Sequence, residues 1–131
     1  MSFSSNPYSS CRLCNRRCGV DRENGENGFC GQTARMKAAC AGIHWGEEPP
    51  LTGAGGSGTI FFSGCTIRCV FCQNYQISCE DIGTEITVEE LISICLRLQQ
   101  LGAENINIVT GTHFIPSIRE SLKKAKAKGL S

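Results

Sequence analysis

The sequence lacks both the long apolar run of a membrane protein and the strong charge of a nucleic-acid-binding protein. No stretch of the chain approaches the ~20 consecutive apolar residues that a membrane-spanning helix needs. The first ten residues, MSFSSNPYSS, have no apolar core of a signal peptide. The formal net charge of +1 indicates no bulk attraction to nucleic acids or membrane surfaces. These absences predict a cytoplasmic protein without a nucleic-acid or membrane partner.

Cysteine, in contrast, is abundant, with ten residues in a chain of 131. In a short secreted protein this number would indicate a disulfide scaffold. Without a signal peptide, reduced thiolates that serve as metal ligands fit the composition better. The length predicts one domain or part of one.

The chain divides into two parts. Residues 1–50 form a cysteine-rich, polar segment with little periodic apolar pattern, and its fold is expected to depend on a metal or on the rest of the protein. Residues 51–131 carry the start of a regular α/β domain. Between them, the prolines and glycines of 47–50 and 53–58 predict irregular chain.

The regular part begins with Thr59–Phe62, a short apolar run typical of a strand buried on both faces. A helix is predicted from Thr87 to Leu101, because Thr87 and Glu90 form a capping box and Gly102 follows. Residues 105–110 predict a second strand. A second helix is expected to have a proline in its first turn, three residues on its buried side and a glycine at its end, namely Pro116, Ile118, Leu122, Ala125 and Gly129.

Alternation of strand, helix, strand and helix is typical of parallel βαβ units. The predicted fold class is therefore α/β, the N-terminal part of a partial (β/α) TIM-like barrel preceded by the cysteine-rich segment. A full barrel of eight units needs ~250 residues. We therefore expect the barrel to be incomplete and the chain to be the front part of a larger protein.

Three cysteines follow the first predicted strand in a C-x3-C-x2-C spacing: Cys65, Cys69 and Cys72. Active sites of (β/α) barrels lie at this carboxyl end of the strands. Three thiolates on a [4Fe–4S] cluster leave one iron without a protein ligand, and that iron is a place for chemistry. A structural zinc ion, the main competitor, needs four ligands, and Cys79 is the candidate for the fourth.

The run GCTIRCVFCQN resembles the signature of the radical S-adenosyl-L-methionine (radical SAM) superfamily. The flanking FFSGC and CQNYQIS resemble the branch related to pyruvate formate-lyase activating enzymes, and the likeness extends from about Gly53 to the end. It implies a [4Fe–4S] cluster on the three cysteines and a SAM molecule chelating the open iron. Reduction would then split the sulfonium and give a 5′-deoxyadenosyl radical. The resemblance also implies an electron donor such as flavodoxin or ferredoxin, and it allows a protein substrate.

The same resemblance implies two further cofactor-binding residues. Phe71 matches an aromatic residue that lies near the adenine of SAM in such enzymes, although it could also serve in loop packing. Gly111 belongs to the run Thr110–His113, which stands where the family places a Gly-Gly-Glu-like segment that binds the amino group of SAM. His113 either lines this pocket or is an ordinary loop histidine.

A second set of cysteines lies near the N-terminus, at Cys11, Cys14, Cys18 and Cys30. Four thiolates suffice for a closed structural zinc site or a further iron–sulfur cluster, and the segment without any metal is the third interpretation. Cys40, Cys79 and Cys95 are predicted to be unliganded, with Cys95 in the core. Two other functions compete with radical chemistry: a ferredoxin-like electron carrier, which needs four cysteines per cluster, and a zinc-binding interaction module.

Overall fold

The structure is a computed structural model that describes residues 6–46 and 48–131. None of the helices in these ranges is both long and apolar enough to cross a membrane. The described elements follow one another in the order β1 (Lys37–His44), α1 (Pro49–Thr52), β2 (Ser57–Phe62), α2 (Tyr75–Ser78), β3 (Thr84–Glu85), α3 (Val88–Gln100), β4 (Asn105–Val109), a 3-10 turn (Thr112–Phe114) and α4 (Ile115–Ala127).

The strands form one sheet in the order β3-β1-β2-β4. β2 and β4 are parallel, with Ile60 opposite Ile108, and α3 lies between them in the chain. This unit confirms the α/β class, and it is compatible with the front of a (β/α) barrel. The complete barrel and the division at residue 50 stay predictions.

β1 is the longest of the described elements that the sequence did not predict. It pairs antiparallel with β2 and with β3, so residues 37–44 of the cysteine-rich segment are part of the sheet. Its sequence, KAACAGIH, has one β-branched residue, and three successive positions, Cys40, Ala41 and Gly42, are exposed, so it shows no strand-like alternation. The strand forms because β2 offers it a hydrogen-bonding edge.

The prediction of irregular chain at 53–58 and 47–50 is wrong in part. Ser57 and Gly58 belong to β2, and Pro49–Thr52 form one helical turn that begins with proline. A Cβ atom on Gly58 would lie 2.8 Å from the carbonyl oxygen of Asn105. Glycine therefore stands inside the strand because β4 approaches its backbone closely.

The two long helices, α3 and α4, agree with the sequence. Thr87 caps α3 with both bonds of the capping box: the Glu90 amide donates to Thr87 Oγ1 at 3.1 Å, and the Thr87 amide donates to Glu90 Oε2 at 2.7 Å. Pro116 lies in the first turn of α4. The core between the sheet and these helices consists of Met36, Ile60, Phe62, Leu91, Cys95, Leu98, Phe114 and Ile118.

The segment before β1 contributes Met36 to this core and contacts the β4–α4 region through Tyr8 and Arg22. Tyr8 is buried, and its hydroxyl lies 2.8 Å from Ser117 Oγ of α4. Arg22 is 1% exposed and donates from Nη1 to the carbonyl oxygen of His113 at 2.8 Å. The cysteine-rich segment therefore packs against the β4–α4 connection.

The capping box yields a stability prediction. Replacing Thr87 with Ala removes the acceptor for the Glu90 amide and should lower the free energy of unfolding by about 1 kcal/mol. Urea unfolding followed by circular dichroism measures this loss. Thr87→Ser keeps the hydroxyl and is the matched control. Equal stability of the Ala variant and the parent chain would contradict the assignment of Thr87 as the cap.

Candidate metal centre

The cluster loop, residues 63–74, leaves β2 at its carboxyl end. Gly64 starts it with φ +82°, a left-handed conformation that favours glycine, and its amide donates to the Ile77 carbonyl oxygen at 3.0 Å. A Cβ atom on Gly64 would lie 2.5 Å from the Cys30 carbonyl oxygen and 2.6 Å from Gln32 Cγ. The cysteine-rich segment thus closes against the first turn of the loop.

Cys65, Cys69 and Cys72 are free, partly buried thiols on this loop. The Cys72 amide donates to the Cys69 carbonyl oxygen at 3.2 Å, which places these two residues on one turn. Among residues 6–46 and 48–131, no three Cys, His, Asp or Glu side chains converge closely enough to hold an ion as they stand. Three thiolates can bind three corners of a four-iron cube, whereas a closed structural zinc site needs four ligands.

Two hydrogen bonds reach the cysteine sulfurs. The Ile67 amide donates to Cys65 Sγ at 3.4 Å, and the hydroxyl of Ser78 donates to Cys72 Sγ at 3.5 Å. Ser78 is 4% exposed, and its Oγ also lies 3.4 Å from Cys79 Sγ. Hydrogen bonds to ligand sulfurs tune the potential of a cluster. No sequence signal marked Ser78, because its position depends on the short helix α2.

A second loop, residues 110–114, ends β4 beside the cluster loop. His113 joins the two loops, because its Nε2 lies 2.7 Å from the Ser63 carbonyl oxygen. A carbonyl oxygen accepts, so Nε2 carries the proton. His113 is 2% exposed, and burial lowers its pKa to about 4, so the ring is neutral. Its Nδ1 is buried without a partner among the described residues. The histidine thus fastens two loops together.

The two residues that the resemblance assigned to SAM lie in different environments. A Cβ atom on Gly111 would lie 2.7 Å from Ile108 Cγ2 and 2.9 Å from Ile118 Cδ1, so packing alone favours glycine there. Phe71 is 85% exposed and therefore fills no part of the core. Both roles in SAM binding stay predictions.

A cavity of about 410 Å³ lies beside the cluster loop. Thr66 and Ile67 of that loop line it, together with Thr112 from the end of β4 and residues 13–16 of the cysteine-rich segment. The cavity therefore brings together three parts of the chain that are far apart in sequence.

The four N-terminal cysteines do not form a closed site in the described structure. Cys18 and Cys30 face each other across Gly28, with sulfurs 3.3 and 3.4 Å from the position of a Cβ on that glycine. Cys14 lines the cavity beside the cluster loop. A hydrogen bond from the Phe29 backbone lowers the pKa of Cys18, while burial raises the pKa of Cys30.

Cys11 meets the buried guanidinium of Arg22, whose Nη1 lies 3.4 Å from Cys11 Sγ. Arg22 also donates to the carbonyl oxygens of Gln32 and Thr33. No Asp or Glu in the described part of the chain forms an ion pair with it. The remaining cysteines agree with the sequence where they are tested: Cys95 is fully buried in the core.

The family model of the radical SAM superfamily matches residues 59–130, from β2 through α4. The chain belongs to the radical SAM superfamily. Membership implies an enzyme that uses a [4Fe–4S] cluster and SAM, and the matched range includes all three cysteines of the cluster loop.

One relative is an uncharacterized protein of Methanocaldococcus jannaschii, which is 42% identical over 81 residues. The alignment covers 60% of this chain and 22% of that protein, so the chain spans about a fifth of the length of this relative. No solved structure gives a significant match.

The buried histidine generates a pH prediction. Because its pKa is about 4 in the folded chain and 6.5 in the unfolded chain, stability is full above pH 6.5 and falls as the pH drops towards 4. The loss amounts to about 3 kcal/mol. His113→Gln keeps a donor for the Ser63 carbonyl oxygen but does not titrate, so it should remove this part of the pH dependence.

Urea unfolding of the metal-free chain at pH 7, 6, 5 and 4.5 measures the effect. His44, the exposed second histidine, supplies the control variant His44→Gln, which should follow the parent curve. Parallel curves for His113→Gln and the parent would contradict the proposed burial of a neutral ring.

Proposed function

We propose that Cys65, Cys69 and Cys72 hold a [4Fe–4S] cluster with one open iron and that the protein cleaves SAM reductively. The observation that carries this proposal is the position of three free, partly buried thiols at the carboxyl end of the parallel strand pair, beside the cavity. When bound, the reduced cluster supplies the electron that releases a 5′-deoxyadenosyl radical from SAM.

The cavity is the proposed site for SAM. Thr66 and Thr112 line the cavity, and Gly111, whose carbonyl oxygen accepts from the Phe114 amide, directly precedes Thr112 and is the proposed backbone contact for SAM. His113 holds the two loops at a fixed separation through the Ser63 carbonyl oxygen. A fixed separation matters because a radical precursor must be oriented within a fraction of an ångström. Phe71 is free to cover the adenine from the solvent side.

The proposed branch is the one related to pyruvate formate-lyase activating enzymes, with flavodoxin or ferredoxin as electron donor in the cytoplasm. Four large apolar side chains around the cluster loop are exposed, namely Ile67, Val70, Phe71 and Tyr75. Several exposed large apolar side chains so close together in the chain are typical of a protein contact. It supports a macromolecular electron donor or a protein substrate at this end of the sheet.

An electron-transfer protein is the second candidate function, because Cys79 stands near Cys72. The hydroxyl of Ser78 lies 3.5 Å from Cys72 Sγ and 3.4 Å from Cys79 Sγ. If Cys79 were a fourth ligand, the cluster would be closed and would only carry electrons. The two functions therefore differ in whether the thiol of Cys79 binds the cluster.

Two variants separate these functions. Cys65→Ala should abolish both the cluster and SAM cleavage. Cys79→Ala should retain both, because three ligands remain. Anaerobic reconstitution, electron paramagnetic resonance and the release of 5′-deoxyadenosine under dithionite measure these outcomes. Cys40→Ala, which changes an exposed cysteine of β1, is the matched control. A cluster that is lost in Cys79→Ala, or a parent that leaves SAM intact, would contradict an open iron.

We further propose a structural thiolate centre, zinc or a second cluster, at Cys11, Cys14, Cys18 and Cys30. The supporting observation is Arg22, a buried cation whose Nη1 lies 3.4 Å from Cys11 Sγ. A buried guanidinium without an anion is costly. Metal-bound thiolates would supply the missing negative charge. The centre requires the four sulfurs to draw together around Arg22 and Gly28.

Elemental analysis tests this centre in a chain whose cluster-loop cysteines are all replaced by Ala. After dialysis that chain should keep one equivalent of zinc, or the iron of one cluster, and Cys30→Ala should remove it. Cys40→Ala should leave the metal content unchanged. Absence of bound metal in the starting variant would exclude the centre.

A further inference from the structure

Arg16 links the cysteine-rich segment to the cluster loop. Its Nε donates to the Thr66 carbonyl oxygen at 2.9 Å, and its Nη2 donates to the Ile67 carbonyl oxygen at 3.2 Å. Both carbonyls lie between Cys65 and Cys69, fifty residues away in sequence. A guanidinium is a planar fork that can hold two acceptors at a fixed angle, which a lysine ammonium cannot do. Arg16 therefore fixes two consecutive peptide groups.

The guanidinium itself is held in place. Its central carbon lies 3.8 Å from the centroid of the Phe29 ring, within the range of a cation–π contact. Phe29 belongs to the same segment, which Arg22 anchors to the His113 carbonyl oxygen. Arg16 is thus fastened on one side to the segment and on the other to the loop.

One peptide group connects the hydrogen bond from Arg16 to a cysteine sulfur. The described chain has no cis peptide bond, so the carbonyl of Thr66 and the amide of Ile67 point in opposite directions from the same plane. Arg16 holds the oxygen end, and the amide end donates to Cys65 Sγ at 3.4 Å. Hydrogen bonds in such a chain polarise one another.

The second carbonyl that Arg16 contacts, that of Ile67, directly precedes a residue with a strained backbone. Arg68 follows Ile67 with φ +59°, a left-handed conformation that costs a non-glycine residue free energy. The Ile67 carbonyl oxygen accepts from Arg16, which stabilises the peptide that leads into this turn. The turn sets the direction in which the chain reaches Cys69.

We propose that Arg16 is a positioning residue for the cluster: it orients the Thr66–Ile67 peptide so that the Ile67 amide donates to the Cys65 sulfur. This inference rests on the proposed function, because Cys65 must be a cluster ligand. Both the amide hydrogen bond and the nearby positive charge stabilise the reduced, more negative cluster, and therefore raise its reduction potential. The cysteine-rich segment acts through Arg16 as a brace for the cluster loop.

A redox titration of the reconstituted full chain, followed by electron paramagnetic resonance, tests the proposal. Arg16→Ala should move the midpoint to a more negative potential by about 59 mV, which is a tenfold loss in reducibility for a one-electron couple. Arg16→Lys keeps the charge without the fork and should fall between the parent and Arg16→Ala. Arg12→Ala removes an exposed arginine of the same segment and should leave the potential unchanged.

Steady-state SAM cleavage gives a second readout. Arg16→Ala should lower kcat at saturating SAM about tenfold, since the residue acts on the cluster potential. Parent-like potentials in both Arg16 variants, or an equal shift in Arg12→Ala, would overturn the proposal. If Arg16→Ala binds no cluster, the reduction potential of Arg16→Lys tests the proposal instead. That potential must then be more negative than the potential of the parent. A parent chain without a cluster or SAM cleavage would instead overturn the proposed function, and this inference with it.

Discussion

The parallel pairing of β2 with β4 is the constraint on which the candidate site depends. Parallel strands bring their carboxyl ends to the same edge of a sheet, so the cluster loop and the 110–114 loop must emerge side by side. The hydrogen bond between His113 Nε2 and the Ser63 carbonyl oxygen then fastens them within the first residue of the cluster loop. Because both partners are buried, water does not compete for this bond. The register of the strand pair therefore sets the relative positions of the residues in both loops.

The sequence predicted the parts of the fold that follow from local pattern. Thr59–Phe62 and the helix capped by Thr87 were readable because burial and capping leave residue signatures at fixed spacing. β1 was not readable, since its residues are ordinary and its pairing with β2 is a long-range event. Gly58 looked like a loop residue for the same reason: its requirement comes from the Asn105 backbone, which no local pattern reveals.

The residues of the candidate site likewise fall into those that local sequence pattern predicted and those that it did not. Spacing marked the three cysteines of the cluster loop, because their side chains carry the chemistry themselves. Arg16 and Arg22 escaped prediction because their partners are far away in the chain, and Ser78 because its position depends on the short helix α2. His113 shows the limit most clearly: the sequence left open whether it lines the pocket or is an ordinary loop histidine, and no local pattern revealed its buried contact with the Ser63 carbonyl oxygen.

The overall charge of the chain conceals a local arrangement. Although the formal net charge is only +1, Arg16 and Arg68 both approach the ring of Phe29, at 3.8 and 5.8 Å from its centroid. Two guanidinium groups near one ring repel each other unless an anion lies close by. A cube with three thiolate ligands is such an anion, and its negative charge increases on reduction. Two arginines beside the loop therefore agree with a negatively charged cluster on it. The cysteine-rich segment supplies Arg16 and Phe29, so it contributes to the candidate site although it lies outside the matched family range.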